Sequence, residues 1–496
     1  MNARTALTIR DIEILFRPFI HRKIKLNSRL VMAPLSRNFA TEGVPSPEMA
    51  HYYRRRAAHE LGLIISEGAV IDDPAAAADD SAPAFFGGAA LRAWKNICRE
   101  VHATGCKIIP QLTHVGMARP TDGSAPNPNE APIGPSGIDP ITLQQTAAPM
   151  SSSRIRAVID SFGRAAAHAR NLGFDGVEIQ GGQGSLVDQF LRAATNHRDD
   201  EYGGDIPRRV RFACEVVHAV RKAIGSRLPV IFRLSQESPA HDGTRLARSA
   251  DELAEYIIPL TEAGVDIFDC SSSSFHHAEF SGNPRTLAGW VRFISGKPVI
   301  STGGVGLPGA PMPALLQLLM AEEFDLIAVG RALVADHAWA EKVHSGRESD
   351  IIPSNEPNGT LVRFTPDAEI FRGYKYLEEF IIPLLKNYTF LNTGLAIYLN
   401  GKRFYSRNGL MDLLKENLTA EVLYPIIHLK GDDIEVVITH TNQYGEEYYS
   451  FVNGQHTTQG GTHLMAFKEA TARTIKDHFG RNFEYSDIRN GIVAAI

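Results

Sequence analysis

The chain has 496 residues, of which 44% are apolar and 22% charged, and a formal net charge of −5. That length accommodates two or three domains, and the charge balance leaves no basic footprint for nucleic acid. The four cysteines form no CxxC pair, zinc and P-loop spacings are missing, and no window nears the ~18 consecutive apolar residues of a membrane span. Residues 1–16 lack the apolar core and small-residue cleavage site of a secretory signal. The expectation is a soluble cytoplasmic protein with no metal and no membrane partner.

Eight short apolar runs recur in chain order: Arg29–Leu35, Leu61–Ser66, Lys107–Leu112, Gly176–Gln180, Pro229–Ser235, Ile267–Cys270, Pro298–Gly303 and Leu326–Gly330. They are nearly continuous rather than alternating, as parallel strands covered on both faces require. Helical patterns lie between them, at Arg154–Leu172, Arg208–Ile224, Ala250–Ala263 and Pro313–Glu322. Eight strand–helix alternations in some 300 residues predict a (β/α)8 TIM barrel rather than an open doubly wound sheet.

Such a barrel carries its chemistry at the C-terminal strand ends, with a phosphate site after strands seven and eight. Those strands end in Gly303-Gly304 and Gly330-Arg331, where glycine lets the backbone approach phosphate oxygens and arginine adds a charged fork. Gly304–Gly309 matches GxGxxG, but Pro308 interrupts it and a barrel loop explains it better. Ser36, Gln111, Gln180, Gln183 and Arg233 are polar residues where strands hand over to loops. His276-His277 reads as a loop pair, not a metal site.

The composition breaks near residue 354. Residues 1–353 hold 30 Arg and 7 Lys, whereas 354–496 hold 7 of each. All three Trp lie before the break and ten of fourteen Tyr after it. The stretch Pro353–Thr360 has linker chemistry. The reading is a barrel over 1–353, a junction at 354–360 and a smaller α+β domain over 361–496. In the latter, Asp433–Thr439 and Glu446–Phe451 read as strands joined by a hairpin at Thr441–Glu446, and His463–Phe479 reads as a helix.

Segments NSRLVMAPLSR, PQLTHVG, LVDQFLRAATNHRDDEYGGD, PVIFRLSQ, STGGVG and FDLIAVGRALVADHAW run in order from about residue 10 to 350. With them the first part resembles the old yellow enzyme family of FMN-dependent ene-reductases. The resemblance implies that FMN takes hydride from NAD(P)H and reduces an activated, enone-type C=C. It implies that Pro34, Leu35 and Ser36 line the flavin, with Ala69 and Gln111 on its pyrimidine side. Arg233 would stabilise the anionic reduced flavin, and Gly303, Gly304, Gly330 and Arg331 would hold the phosphate.

The family's substrate motif resembles HGAHGYL, with two carbonyl donors and a proton-donating Tyr. Here it is Gln180-Gly181-Gly182-Gln183-Gly184-Ser185-Leu186. Gln180 and Gln183 still donate N–H bonds but carry no charge, and Ser185 is a shorter, weaker acid. The expected catalytic residues are Gln180, Gln183 and Ser185, with weakened or redirected turnover as the alternative and water as a substitute proton source. Thr113 replaces the aromatic residue often found in QLWH.

The second part contains NGTLVRFTPDAEIF and FVNGQHTTQGGTHLMAFKEA. It resembles a truncated transducer subdomain of the DNA gyrase B and topoisomerase IV B family. The nucleotide-binding subdomain of that family has no counterpart here, so neither ATP hydrolysis nor strand passage follows, and Gly460, Gly461, Thr462 and His463 read as a structural turn. Oligomeric state is left open.

Overall fold

The computed structural model describes residues 9–352 and 375–496, together with 370 and 373 and apart from 238, 239, 241–243, 308, 401 and 432. The junction expected at 354–360 lies outside the described residues. The chain divides into two compact units, Met1–Gly359 and Thr360–Ile496.

In the first unit the eight apolar runs form eight parallel strands: β1 (Leu30–Met32), β2 (Leu63–Val70), β3 (Lys107–Thr113), β4 (Val177–Gln180), β5 (Val230–Ser235), β6 (Ile267–Ser271), β7 (Val299–Thr302) and β8 (Leu326–Val329). Each pairs with the next, and β8 pairs with β1, which closes the barrel and leaves no sheet edge. Helices alternate with the strands: α1 (Pro47–Ala57), α2 (Gly88–His102), α3 (Ser152–Leu172), α4 (Leu186–Leu191), α5 (Arg211–Ile224), α6 (Ala250–Ala263), α7 (Leu287–Ser295), α8 (Met312–Met320) and α9 (Arg331–Ala335). Each long helix buries a stripe at helical spacing. In α2 the stripe is Ala90, Trp94, Ile97, Cys98 and Val101.

The strands have two apolar faces because helices cover one and the barrel interior takes the other. The interior holds Val31, Leu63, Ile65, Ile109, Ile231, Ile267, Ile300, Leu326 and Ala328. An antiparallel hairpin, Phe19–His21 with Ile24–Leu26, adds Phe19, Ile24 and Leu26 to the same cluster. Side chains two apart on a strand share a face. One step of two from Ile109, Ile231, Ile267 and Ile300 therefore lands on Gln111, Arg233, Asp269 and Thr302. The apolar barrel interior thus ends in a polar layer beneath its C-terminal rim.

The second unit is α+β. Its sheet runs in the order β9 (Ile427–Lys430), β10 (Glu435–His440), β12 (Ile492–Ala495), β11 (Glu447–Tyr449). The period of two sends Val437, Val493 and Ala495 to one face and Val436, Ile438, Ile492 and Ala494 to the other. The first face packs with Phe390 of α10 (Glu378–Leu391) and with Leu410, Leu413 and Leu414 of α11 (Leu410–Asn417). The second receives Leu464 and Phe467 of α12 (Thr462–Phe479).

The hairpin read at Thr441–Glu446 is corrected. β10 and β11 do not pair; β12 lies between them, antiparallel to β10 and parallel to β11. Ile492–Ala495 is buried along its whole length, whereas Glu447–Tyr449 is not. The apolar strand takes the covered central position and the polar one the edge. Among the described residues no helix is long and apolar enough to cross a membrane.

Candidate active site at the C-terminal rim of the barrel

A cavity of about 360 Å³ opens above the polar layer. It gathers Pro34, Leu35, Ser36, Gln183, Arg233, Gly303, Gly304, Gly330 and Arg331 from four strand ends and the loop after β4. Gln180, Ser185, Ala69 and Gln111 are not among its lining residues.

The loop bearing Ser36 is held from below. Glu67, a buried residue of β2, accepts hydrogen bonds from the backbone N–H groups of Arg37 (3.0 Å) and Asn38 (3.2 Å) through Oε2. Tyr53 Oη donates to its Oε1 (3.3 Å). The carboxyl lies above its ordinary pKa because burial outweighs these donors. A β-bulge between Ile65 and Gly68 places Glu67 at this point. Ala69, two residues on, is fully buried.

The loop after β4 is clamped by the DQFL motif. Asp188 Oδ2 accepts from Gly184 N (2.8 Å) and from Arg192 Nε (2.8 Å), and both charged side chains are buried. Gln189 donates through Nε2 to the carbonyls of Gly184 (2.8 Å) and Val115 (3.0 Å), so it ties this loop to the one after β3. Within the clamp Gln183 sits at φ 57°, a left-handed conformation rare for a residue with a Cβ. Its backbone N–H donates to Ser235 Oγ (2.9 Å), which fixes the strained turn.

Gln183 Nε2 donates to Ser271 Oγ (3.3 Å), and Gln180 Nε2 to Gln183 Oε1 (3.4 Å). One N–H of each amide is left over for another acceptor. Ser185 is engaged elsewhere. It caps α4, accepting from Asp188 N (3.4 Å) and donating to the Gln180 carbonyl (2.8 Å).

Beneath the cavity lies a charged group. Arg233 is 3% exposed; Nη1 donates to Asp269 Oδ2 (2.6 Å) and Nη2 to Ser271 Oγ (3.1 Å). Thr302 Oγ1 donates to Asp269 Oδ1 (2.6 Å). Gln111 Nε2 donates to Glu178 Oε1 (2.8 Å), and neither residue reaches bulk solvent. Burial first, and the charge of Asp269 second, push the Glu178 carboxyl up to about 8; Arg233 and Gln111 oppose them. Asp269 and Glu178 were missed from the sequence. The available signal was an acidic residue inside a continuous apolar strand, IFDC and GVEI, which is costly unless a partner is supplied.

These residues suit FMN. The lining offers backbone at Gly303, Gly304 and Gly330 beside the cationic Arg331, which a phosphate could use; it also offers apolar Pro34, Leu35 and Ala328 for a ring and polar Ser36 and Arg233. A Cβ at Gly303 would lie 2.8 Å from the Ser272 carbonyl oxygen and 3.0 Å from Phe275 N, so any larger residue there forces the loop to shift. Arg233 also retains a buried Nε with no partner.

Comparison with known proteins agrees. Residues 14–350 match the model of the NADH:flavin oxidoreductase / NADH oxidase family, and residues 405–496 match that of DNA gyrase B. The chain is 30% identical over 338 residues to an NADH oxidase of Thermoanaerobacter brockii, covering 66% of this chain and 50% of that protein. It is 42% identical over 150 residues to the B-type polypeptide of DNA topoisomerase 4 of Borreliella burgdorferi, covering 30% of this chain and 25% of that polypeptide. The chain thus spans half the length of the first relative and a quarter of the second. The solved structure of morphinone reductase in complex with tetrahydroNAD superposes with a TM-score of 0.58 at 27% identity, covering 67% of this chain and 91% of the reductase. With the barrel, the rim cavity and the family match in agreement, the chain belongs to the NADH:flavin oxidoreductase / NADH oxidase family, the old yellow enzyme group that works with FMN and NAD(P)H.

Proposed function

We propose that the barrel is an FMN-dependent oxidoreductase that reduces an activated C=C conjugated to a carbonyl. The observation that carries this reading is the rim cavity, which gathers Gly303, Gly304, Gly330, Arg331, apolar Pro34 and Leu35 and the buried Arg233 into one space. Bound there, FMN supplies a two-electron carrier that accepts hydride from a reduced nicotinamide and returns it to the alkene. Gly303, Gly304, Gly330 and Arg331 would hold its phosphate, and Arg233 would supply a buried positive charge to it.

Gln183 orients the substrate carbonyl with its remaining amide N–H, and Gln180 holds Gln183 in register. A neutral amide polarises the carbonyl without the charge of an imidazolium. The proton comes from water, because the Ser185 hydroxyl donates to the Gln180 carbonyl while its oxygen caps α4. Replacing Gln183 with alanine removes one oxyanion donor and is expected to lower kcat/KM for a cyclic enone by about 10²-fold, with hydride uptake from NAD(P)H unchanged. Gln180→Ala is expected to have a smaller effect. Equal turnover in wild type and both variants would assign the glutamines a structural role.

The direct test is the visible spectrum of the purified chain, followed anaerobically through NADPH and then a cyclic enone. Bleaching by NADPH and recovery with the enone is the expected result. A flavin band that bleaches but does not recover would point to a different acceptor. One that never bleaches would leave a flavin-binding barrel whose ordinary chemistry is lost.

The second unit is given no catalytic part. His463 Nε2 lies 2.6 Å from Ser450 Oγ, and this contact ties the start of α12 to the strand region before it. That is a structural use of the TQGGTH turn.

A further inference from the structure

We propose that Glu178 is a redox-linked proton site: when the occupant of the rim cavity beside Arg233 becomes negatively charged, Glu178 takes up a proton from solvent. The inference rests on the reading that FMN occupies that cavity.

Two buried carboxylates compete for one guanidinium. Arg233 gives Nη1 to Asp269 and Nη2 to Ser271, and its Nε has no partner. Glu178 receives none of the three; it has only the neutral amide of Gln111 on Oε1, while Oε2 is buried without a partner. Strands β3 and β5 flank β4 and present Gln111 and Arg233, and β6 presents Asp269. Arg233 and Asp269 are the charged groups acting on Glu178.

The sign follows from charge alone. Without a charge in the cavity, the field of Arg233 favours the ionised carboxylate; in the protein alone burial and Asp269 outweigh it and push the Glu178 carboxyl up to about 8. A new negative charge beside Arg233 cancels that field, so the carboxyl holds its proton to higher pH. Between the two values, ionised Glu178, oxidised cofactor, NAD(P)H and one solvent proton give protonated Glu178, reduced cofactor and NAD(P)+. The hydride carries both electrons and its own hydrogen to the cofactor; the solvent proton forms the one additional O–H bond, on Glu178.

The test is the midpoint potential of the FMN-loaded full chain across the neutral and alkaline range. One proton per two electrons is expected below pH about 8, with the slope doubling above it as a second proton is taken up. Glu178→Gln should keep the single slope throughout. As a second measurement, the reduction-induced infrared difference spectrum of wild type above pH about 8 should gain the carbonyl band of a protonated carboxyl. That band should shift on carbon-13 labelling of glutamate, which decides the matter even if the variant folds poorly. Bound, reducible FMN with a single slope and no new carboxyl band overturns this inference alone. Failure to bind FMN overturns the cofactor reading and this inference with it.

Discussion

Arg233→Ala is expected to abolish FMN binding and to destabilise the barrel itself. Arg233 is the counterion of Asp269, which is fully buried and paired at 2.6 Å. Removing one partner of a buried ion pair leaves an uncompensated charge and costs about 3–5 kcal/mol. The barrel should therefore unfold at lower denaturant even without cofactor. The double variant Arg233→Met with Asp269→Leu replaces the pair by apolar side chains and should regain most of that stability, since such replacements are often neutral. It should not regain FMN. Denaturant unfolding of the apoprotein and FMN titration separate the two effects. A single variant as stable as wild type would show that Asp269 does not depend on Arg233.

A second large effect is expected at Gly303. Alanine there would bring its Cβ within 2.8 Å of the Ser272 carbonyl oxygen and Oγ. Both sit in the wall of the cradle, so the loop must shift. Overpacking of this kind costs about 1–3 kcal/mol. If the cost falls on the bound state, FMN affinity drops about 10–100-fold. Gly88→Ala is the control: its Cβ meets only the end of the Arg92 side chain, at 3.3 Å. Quenching of FMN fluorescence on titration measures both. Equal affinities would remove Gly303 from the phosphate site.

The eight strands were legible because each is a short β-branched run covered on both sides, and eight such runs with helices between them close in one way. The glycines and Arg331 after β7 and β8 were legible for a related reason: phosphate sites sit at those two strand ends in barrels. The period of two along IIPQL, VIFR, IFD and VIST also places Gln111, Arg233, Asp269 and Thr302 on the interior face. That pattern by itself points to the polar layer. The strand order of the second unit was not legible. Two strands with a turn between them look like a hairpin, and the apolar Ile492–Ala495 strand inserts there from 43 residues beyond the end of β11.

By itself, the sequence determined the barrel, the break in composition, the gyrase-like second part and the identity of the side chains around the rim. These depend on local periodicity and on residue chemistry, both written along the chain. Only the tertiary structure decided which of those side chains share a space. It set Gln183 in the cavity wall and turned Ser185 to cap α4. It gave the guanidinium of Arg233 to Asp269 and left Glu178 without a counterion. Hydrogen bonds and charge pairs form between strands far apart in sequence, so their allocation depends on barrel closure and register rather than on any local pattern.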